Sequence, residues 1–123
     1  MDWKSLFFNI RGRISRQPFW LGLLVLFALY WGPIFVLAFM DPVPPEVFWR
    51  ERYVPLFIWG VLLFFSDIAI VIKRLHDLDM SGRWILFKFI PLLNLLFYLM
   101  LGVQKGTSGP NRFGPDPLDA RLP

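Results

Sequence analysis

The sequence predicts an all-α membrane protein with about three transmembrane helices, a short N-terminal interfacial amphipathic helix and an irregular Gly/Pro-rich C-terminal tail. Three observations predict this fold class: the composition, three long apolar segments, and basic clusters beside them. Of the 123 residues, 56% are hydrophobic and 18% are charged, and the mean hydropathy is +0.52. Soluble domains carry about 25% charged residues, and a chain this short has too little interior to bury so much apolar surface.

The first ten residues predict an amphipathic helix that lies in the membrane interface. Trp3, Leu6, Phe7 and Ile10 recur at helical spacing, and Asp2 is placed to cap the helix. An aromatic apolar face opposite a polar face is typical of helices that lie on a bilayer. A frayed N-terminus is the alternative.

Three segments have the length and apolar character of transmembrane helices. Residues 19–40 contain 22 positions without a charge, and about 20 apolar residues cross a hydrocarbon core of about 30 Å. This segment is too long for a secretory signal, and the proline-rich stretch at 41–45 does not resemble a cleavage site. Residues 53–72 form the second expected span and residues 84–103 the third.

The third segment allows two interpretations because Pro91 divides it. We favour one kinked span, since lone prolines are tolerated in transmembrane helices when neighbours satisfy the freed backbone groups. A re-entrant hairpin that returns to its starting side is the alternative. Either way we expect a single membrane domain over residues 1–118, followed by a flexible end at 119–123.

The distribution of lysine and arginine predicts the orientation in the membrane. With three spans, the N-terminal tail and the second loop together carry seven of these residues, against five for the first loop and the C-terminal tail. The side with more positive charge is normally cytoplasmic. We therefore expect the N-terminus and the loop 73–83 to lie in the cytoplasm.

The second and third segments each contain one internal charge, and the two charges lie at similar expected depth. Asp67 lies six residues before Lys73, and Lys88 lies five residues after Arg83. These separations place them about 9 Å and 7.5 Å below the same interface. Because a charge in hydrocarbon needs a partner, we hypothesise an intramembrane Asp67–Lys88 ion pair. The alternative is that Lys88 extends to the headgroups while Asp67 faces Arg74.

Three polar motifs beside the spans supply the candidate binding residues. They read GRISR at 12–16, KRLHDLDMSGRW at 73–84 and GTSGPNRFGPDP at 106–117. Cations beside a membrane span typically contact lipid phosphates. The candidate contacts for lipid, anion or partner are Arg13, Arg16, Arg74, His76, Asp77, Arg83, Asn111 and Arg112.

The residue inventory argues against most catalytic and metal chemistry. The chain has no cysteine and one histidine, which leaves too few ligands for a zinc site. A Ser66–His76–Asp77 triad is disfavoured because a triad needs its Ser and Asp on opposite ring nitrogens of the His. The net charge of +4 fits anionic headgroups. We therefore expect no cofactor, no metal and no nucleic-acid partner.

Together the motifs resemble the domain of unknown function 805 family of bacterial inner-membrane proteins. The three motifs, with Phe19-Trp20 after the first and Ile90-Pro91 before the last, stand in the order of that family and cover nearly the whole chain. Small departures are Lys73 for the first arginine of the hinge, Asp79 for glycine or threonine, and Asn94 for glycine. The resemblance implies a multi-pass protein of the bacterial inner (plasma) membrane, and it implies no activity.

The function we expect is non-enzymatic, with membrane lipids, other membrane proteins or a second copy of the chain as partners. Gly22, Gly32 and Gly60 would permit close helix contacts in a homo-oligomer. A subunit of an oligomeric transporter or channel is one alternative. A lipid-modifying enzyme that uses the His76-Asp77 loop is another.

The number of spans decides whether the motifs can act together. With three spans, the loop of His76 and the tail of Arg112 lie on opposite sides of the membrane. With a re-entrant third segment they lie on the same side, and a shared site becomes possible.

Overall fold

A computed structural model describes residues 2–40 and 44–119, and every regular element among them is helical. The elements are α1 (Trp3–Phe8), α2 (Arg16–Met40), α3 (Pro45–Phe48), a π-helical turn (Trp49–Tyr53), α4 (Val54–Asp77), a 3₁₀ helix (Gly82–Phe89) and α5 (Leu93–Val103). The expected helical fold class is confirmed. Residues 41–43 of the proline-rich stretch at 41–45, and residues 120–123 of the expected flexible end at 119–123, lie outside the described residues.

Two of the described helices, α2 and α4, are long and apolar enough to cross a membrane. They pack against each other at the end where α2 begins and α4 finishes, and the core lies there. A Cβ on Gly22 of α2 would lie 2.8 Å from Ile70 Cδ1, so the missing side chain allows this close approach. The fully buried apolar side chains of the core are Phe19, Ile70, Val71, Leu75 and Leu101.

The third apolar segment, expected as one kinked span over 84–103, is divided into two helices that do not continue each other. The 3₁₀ helix leads away from the end of α4, and α5 returns to it, since Arg74 Nε near the end of α4 donates to Leu101 O at 2.7 Å. The segment therefore has the shape of the re-entrant alternative. The reversal occurs at Pro91, which has no N–H to continue a helix, and at Leu92, whose φ of +64° turns the chain.

The N-terminal helix α1 forms at the expected position and packs against α4. Asp2 caps it, accepting a hydrogen bond from the Lys4 backbone N–H at 3.1 Å. Leu6 is buried, whereas Trp3 and Phe8 remain exposed. Lys73 Nζ of α4 donates to the carbonyls of Leu6, at 2.6 Å, and Ser5, which ties α1 to the end of α4.

Candidate functional site

The three polar motifs meet at one end of the molecule, which we call the motif end (residues 2–18, 73–84 and 101–119). Arg13 Nε, before α2, donates to Asp77 Oδ1 at 3.1 Å. The Thr107 N–H, in the tail, donates to the Asp77 carbonyl at 2.8 Å. The loop and the tail therefore meet, because the third segment folds back at Pro91 and Leu92 and returns the tail to the end of α4.

A buried carboxylate between two guanidiniums forms the centre of the motif end. Arg13 contacts one oxygen of Asp77, and Arg74 Nη1 contacts the other. Relative exposures are 9% for Arg13, 0% for Arg74 and 3% for Asp77. Buried charges are tolerated only when they are paired and hydrogen-bonded, so the three side chains depend on one another.

Backbone carbonyls satisfy the remaining donors of the two arginines. Arg13 donates to the carbonyls of Thr107 at 2.5 Å, Gly109 at 2.8 Å and Gly114 at 3.2 Å. Six carbonyl groups in total face the two cations, and their dipoles offset the excess positive charge that one carboxylate cannot neutralise. The carbonyls that Arg74 contacts belong to Ile14, Leu101 and Gln104.

These contacts correct the expected role of three candidate residues. Arg13, Arg74 and Asp77 were expected to contact lipid, anion or partner. In the structure they lie inside the protein and hold the tail to the beginning of α2 and the end of α4. The physical reason is that buried guanidiniums already occupied by carbonyls and a carboxylate have few donors left for a lipid phosphate.

The tail passes so close to the carboxylate of Asp77 that one position has no room for a side chain. A Cβ added to Gly106 would overlap the Asp77 carboxyl group. That carboxyl group cannot easily move, because both of its oxygens are held by arginines. The Gly-Thr pair that begins the tail motif is thus explained by packing, with Gly106 clearing the carboxylate and Thr107 donating to the Asp77 carbonyl.

His76 is also engaged within the motif end. Its ring stacks on Phe113 with centroids 3.9 Å apart and an interplanar angle of 5°. Its Nδ1 lies 3.1 Å from the carbonyl of Gly12; because a carbonyl only accepts, Nδ1 is the donor. Asn111 Nδ2 donates to the His76 carbonyl at 2.9 Å. Asn111 and His76 therefore join the tail to the loop.

One acidic side chain organises the tail itself. Asp116 accepts from the backbone N–H groups of Leu118 and Gly109, each at 2.9 Å, and these bonds lower the pKa of its carboxyl group. A lowered pKa means that the stabilisation is present above the ordinary pKa of aspartate and is lost as the pH falls through the folded-state value. The tail turn is therefore expected to be intact at neutral pH.

The motif end leaves several cations on its outer surface. Arg112 forms an exposed pair with Asp79 at 3.2 Å, and Arg16 Nη1 reaches the Val103 carbonyl at 3.4 Å. Arg83, another candidate lipid contact, is exposed. The exposed cations at this end are Lys4, Arg11, Arg16, Arg83, Lys105 and Arg112, which we call the basic rim.

The two charges within the apolar segments lie together, as hypothesised from their depth. Lys88 Nζ of the 3₁₀ helix contacts Asp67 Oδ2 of α4. Tyr98 of α5 donates to the same oxygen at 2.7 Å. Asp67 therefore holds both limbs of the hairpin against α4. Sequence reasoning missed Tyr98, which lies at a matching depth only if the third segment folds back.

The serine of the disfavoured triad lies far from the histidine. Ser66 Oγ donates to the Leu62 carbonyl at 3.1 Å. Ser66 and His76 are ten residues apart on α4, which is about 15 Å along the helix. Within residues 2–40 and 44–119, no group of three or more His, Cys, Asp or Glu side chains is arranged to hold a metal ion.

Comparisons with known proteins identify the family of this chain. The family described as "Protein of unknown function (DUF805)" matches residues 7–115. Inner membrane protein YhaH of Escherichia coli (strain K12) is 36% identical over 124 residues, which cover 95% of this chain and 97% of that protein. Inner membrane protein YhaI of the same strain is 46% identical over 54 residues, or 44% of this chain and 46% of that protein. No solved structure matches. The chain therefore belongs to the DUF805 family, and its relatives YhaH and YhaI in E. coli are inner membrane proteins.

Proposed function

We propose that this protein is a non-enzymatic inner-membrane protein that crosses the bilayer twice, through α2 and α4, and binds anionic phospholipid headgroups at the cytoplasmic face. One observation carries the proposal. The polar groups most suited to chemistry at the motif end are used in internal contacts, whereas the cations that remain outside form the basic rim.

Charge counting supports the two-span topology. If the third segment is re-entrant, nine lysines and arginines of the described chain lie at the motif end, and only Arg50 and Arg52 lie at the other. This asymmetry is much larger than the seven against five expected for three spans, and it supports a cytoplasmic location of the motif end. The nine are Lys4, Arg11, Arg13, Arg16, Lys73, Arg74, Arg83, Lys105 and Arg112.

The internal contacts of the loop support a non-enzymatic role. A general base must reach a substrate proton within hydrogen-bond distance. His76 lies flat against Phe113 and uses Nδ1 on the Gly12 carbonyl, and the Asp77 carboxylate is enclosed by two arginines. These contacts hold the loop and tail together, which is a structural role.

The basic rim and α1 together suit a headgroup layer. Exposed Trp3 and Phe8 place aromatic surface at the level of the interface, beside Lys4 and Arg11. Each cation near an anionic membrane surface contributes about 1 kcal/mol of attraction. Six such side chains are enough to concentrate anionic lipid around the motif end.

Lipid preference tests the proposed function. Replacing Arg11 and Arg83 by glutamine together is expected to lower the preference for phosphatidylglycerol over phosphatidylcholine about 30-fold, because about 1 kcal/mol is lost per cation and about 1.4 kcal/mol corresponds to a factor of ten. The preference is measured by native mass spectrometry of the protein released from nanodiscs of equal lipid composition.

The matched control removes the same charge from the opposite end. Arg50→Gln with Arg52→Gln is expected to change the preference little, because Glu46 and Glu51 lie beside these arginines. An equal loss in both double variants, or no preference in the unaltered protein, would overturn headgroup binding at the motif end.

The side of the membrane on which each loop lies tests the two-span topology. Because the chain has no cysteine, single cysteines at the exposed positions Glu46, Arg83 and Ser108 report on one loop each. In intact cells, a membrane-impermeant maleimide is expected to label only the cysteine at position 46. The cysteines at 83 and 108 should label only after the inner membrane is opened. Labelling of position 108 but not of position 83 in intact cells would contradict the two-span topology and support three spans.

A further inference from the structure

We propose that the tip of the re-entrant hairpin, residues 89–96, binds a second copy of this chain, with the two Asn94 side chains paired across a two-fold axis. The inference rests on the two-span topology proposed above and names the partner and the surface. Three observations support it: the expected depth of the tip in the bilayer, the exposure of its residues, and the unpaired side-chain amide of Asn94.

The tip lies near the middle of the bilayer in this topology. Asn94 is ten residues before Gln104, where α5 ends, and ten helical residues span about 15 Å. This is half of a hydrocarbon core of about 30 Å. The eight residues of the 3₁₀ helix span a similar distance at about 2.0 Å per residue, so both limbs bring the tip to the same depth.

The described chain leaves the tip uncovered. Every residue from Phe89 to Leu96 is exposed, and Leu92 reaches 88%. The Asn94 side-chain amide has no hydrogen-bond partner among the described residues. A carboxamide without a partner is strongly disfavoured in hydrocarbon, so this surface requires a polar group from elsewhere.

The backbone of the tip also needs to be covered by protein. Between Phe89 and Leu93 the chain is a turn, with Leu92 in the left-handed region at a φ of +64°. Irregular backbone at membrane depth is found only where protein buries it or where it lines a water-filled cavity. Within residues 2–40 and 44–119 of one copy, the tip is left exposed, so protein from another molecule is the cover that fits.

A second copy is the partner that fits the chemistry. A carboxamide offers both a donor and an acceptor, so two asparagines related by a two-fold axis satisfy each other through identical surfaces. Asparagine pairs of this kind hold transmembrane helices together. Residues 89–96 carry no charge, and Lys88 is already occupied by Asp67, so no oppositely charged partner is needed.

Disulfide cross-linking in membranes tests the proposal. The test position is Leu95, which follows Asn94 in the chain and is 65% exposed. The control position is Phe65 of α4, which has a similar exposure of 62%. On oxidation, Leu95→Cys is expected to form a dimer and Phe65→Cys is not. Adding Asn94→Leu to Leu95→Cys should reduce the dimer at least tenfold, whereas Asn94→Gln, which keeps the amide, should retain most of it.

Several outcomes would overturn the inference. Equal cross-linking of Leu95→Cys and Phe65→Cys would indicate random collision. An unchanged dimer yield after adding Asn94→Leu would show that the amide plays no role. Cross-links only to other proteins would indicate a different partner. Circular dichroism of Asn94→Leu checks that the helices remain. If cysteine labelling places positions 83 and 108 in the cytoplasm but Leu95→Cys gives no dimer, the pairing is contradicted and the two-span topology stands. If position 108 is labelled from outside the cell, both the topology and the pairing are contradicted.

Discussion

Replacing Asp77 with alanine is expected to lower the free energy of unfolding by about 3–5 kcal/mol, because it leaves buried charges unpaired. Asp77 is the shared counterion of Arg13 and Arg74, which are almost fully buried. Without it, the two guanidiniums face each other across a cavity, with only carbonyl dipoles to stabilise them. Unfolding in detergent micelles, followed by circular dichroism, measures the loss.

The chain offers a matched control two residues away. Asp79 also pairs with an arginine, Arg112, but both side chains are at least half exposed. An exposed ion pair contributes about 0–1 kcal/mol, and alanine at the positive φ of position 79 costs about 1 kcal/mol, so Asp79→Ala should lower the free energy of unfolding by about 2 kcal/mol at most. Similar losses for Asp77→Ala and Asp79→Ala would contradict the buried cluster as the element that holds the motif end together.

The tail should also respond differently in the two variants. The Asp77 side chain holds the tail through Arg13, which donates to the carboxylate and also to tail carbonyls. The bond from the Thr107 N–H to the Asp77 backbone carbonyl is kept in the alanine variant. We therefore expect limited proteolysis to release the tail of Asp77→Ala much faster than that of Asp79→Ala. The shared counterion is thus expected to control the attachment of residues 104–119 as well as overall stability.

Replacing Asp67 with leucine is expected to destabilise the protein by about 2.5–3.5 kcal/mol, the cost of a lysine left unpaired within a bilayer. Lys88 loses its carboxylate, and Tyr98 loses its acceptor. The third segment should then pack less tightly against α4 at this depth, since Asp67 contacts both of its limbs. The change is measured by unfolding in detergent.

A second substitution separates charge from packing. Adding Lys88→Met to Asp67→Leu removes the unpaired cation, and an ion pair replaced by apolar residues of similar size is often tolerated. We expect the double variant to recover most of the loss, except for about 1–3 kcal/mol from the unsatisfied hydroxyl of Tyr98. A double variant as unstable as Asp67→Leu alone would show that the pairing of these charges is not what matters.

The contact between Asp67 and Lys88 could be predicted from the sequence, but the reversal of the third segment could not. Depth along a helix follows from residue counting, so the proximity of Asp67 and Lys88 was a reasonable hypothesis from sequence. Pro91 marked the point where the third segment breaks, but a proline is compatible with both a kink and a reversal. The left-handed conformation of Leu92 decides for reversal, and nothing in the identity of a leucine signals it.

The amino-acid sequence by itself determined the class of this protein: a helical membrane protein with an N-terminal helix capped by Asp2 and the motifs of the DUF805 family. Composition, length and periodicity decide these features, because they depend on sums over neighbouring residues. Only the tertiary structure decided that Arg13, Arg74 and Asp77 form one buried cluster with the tail. Cations beside a membrane have the same sequence signature whether they face lipid or one another, and the difference depends on helix rotation and on where the third segment ends.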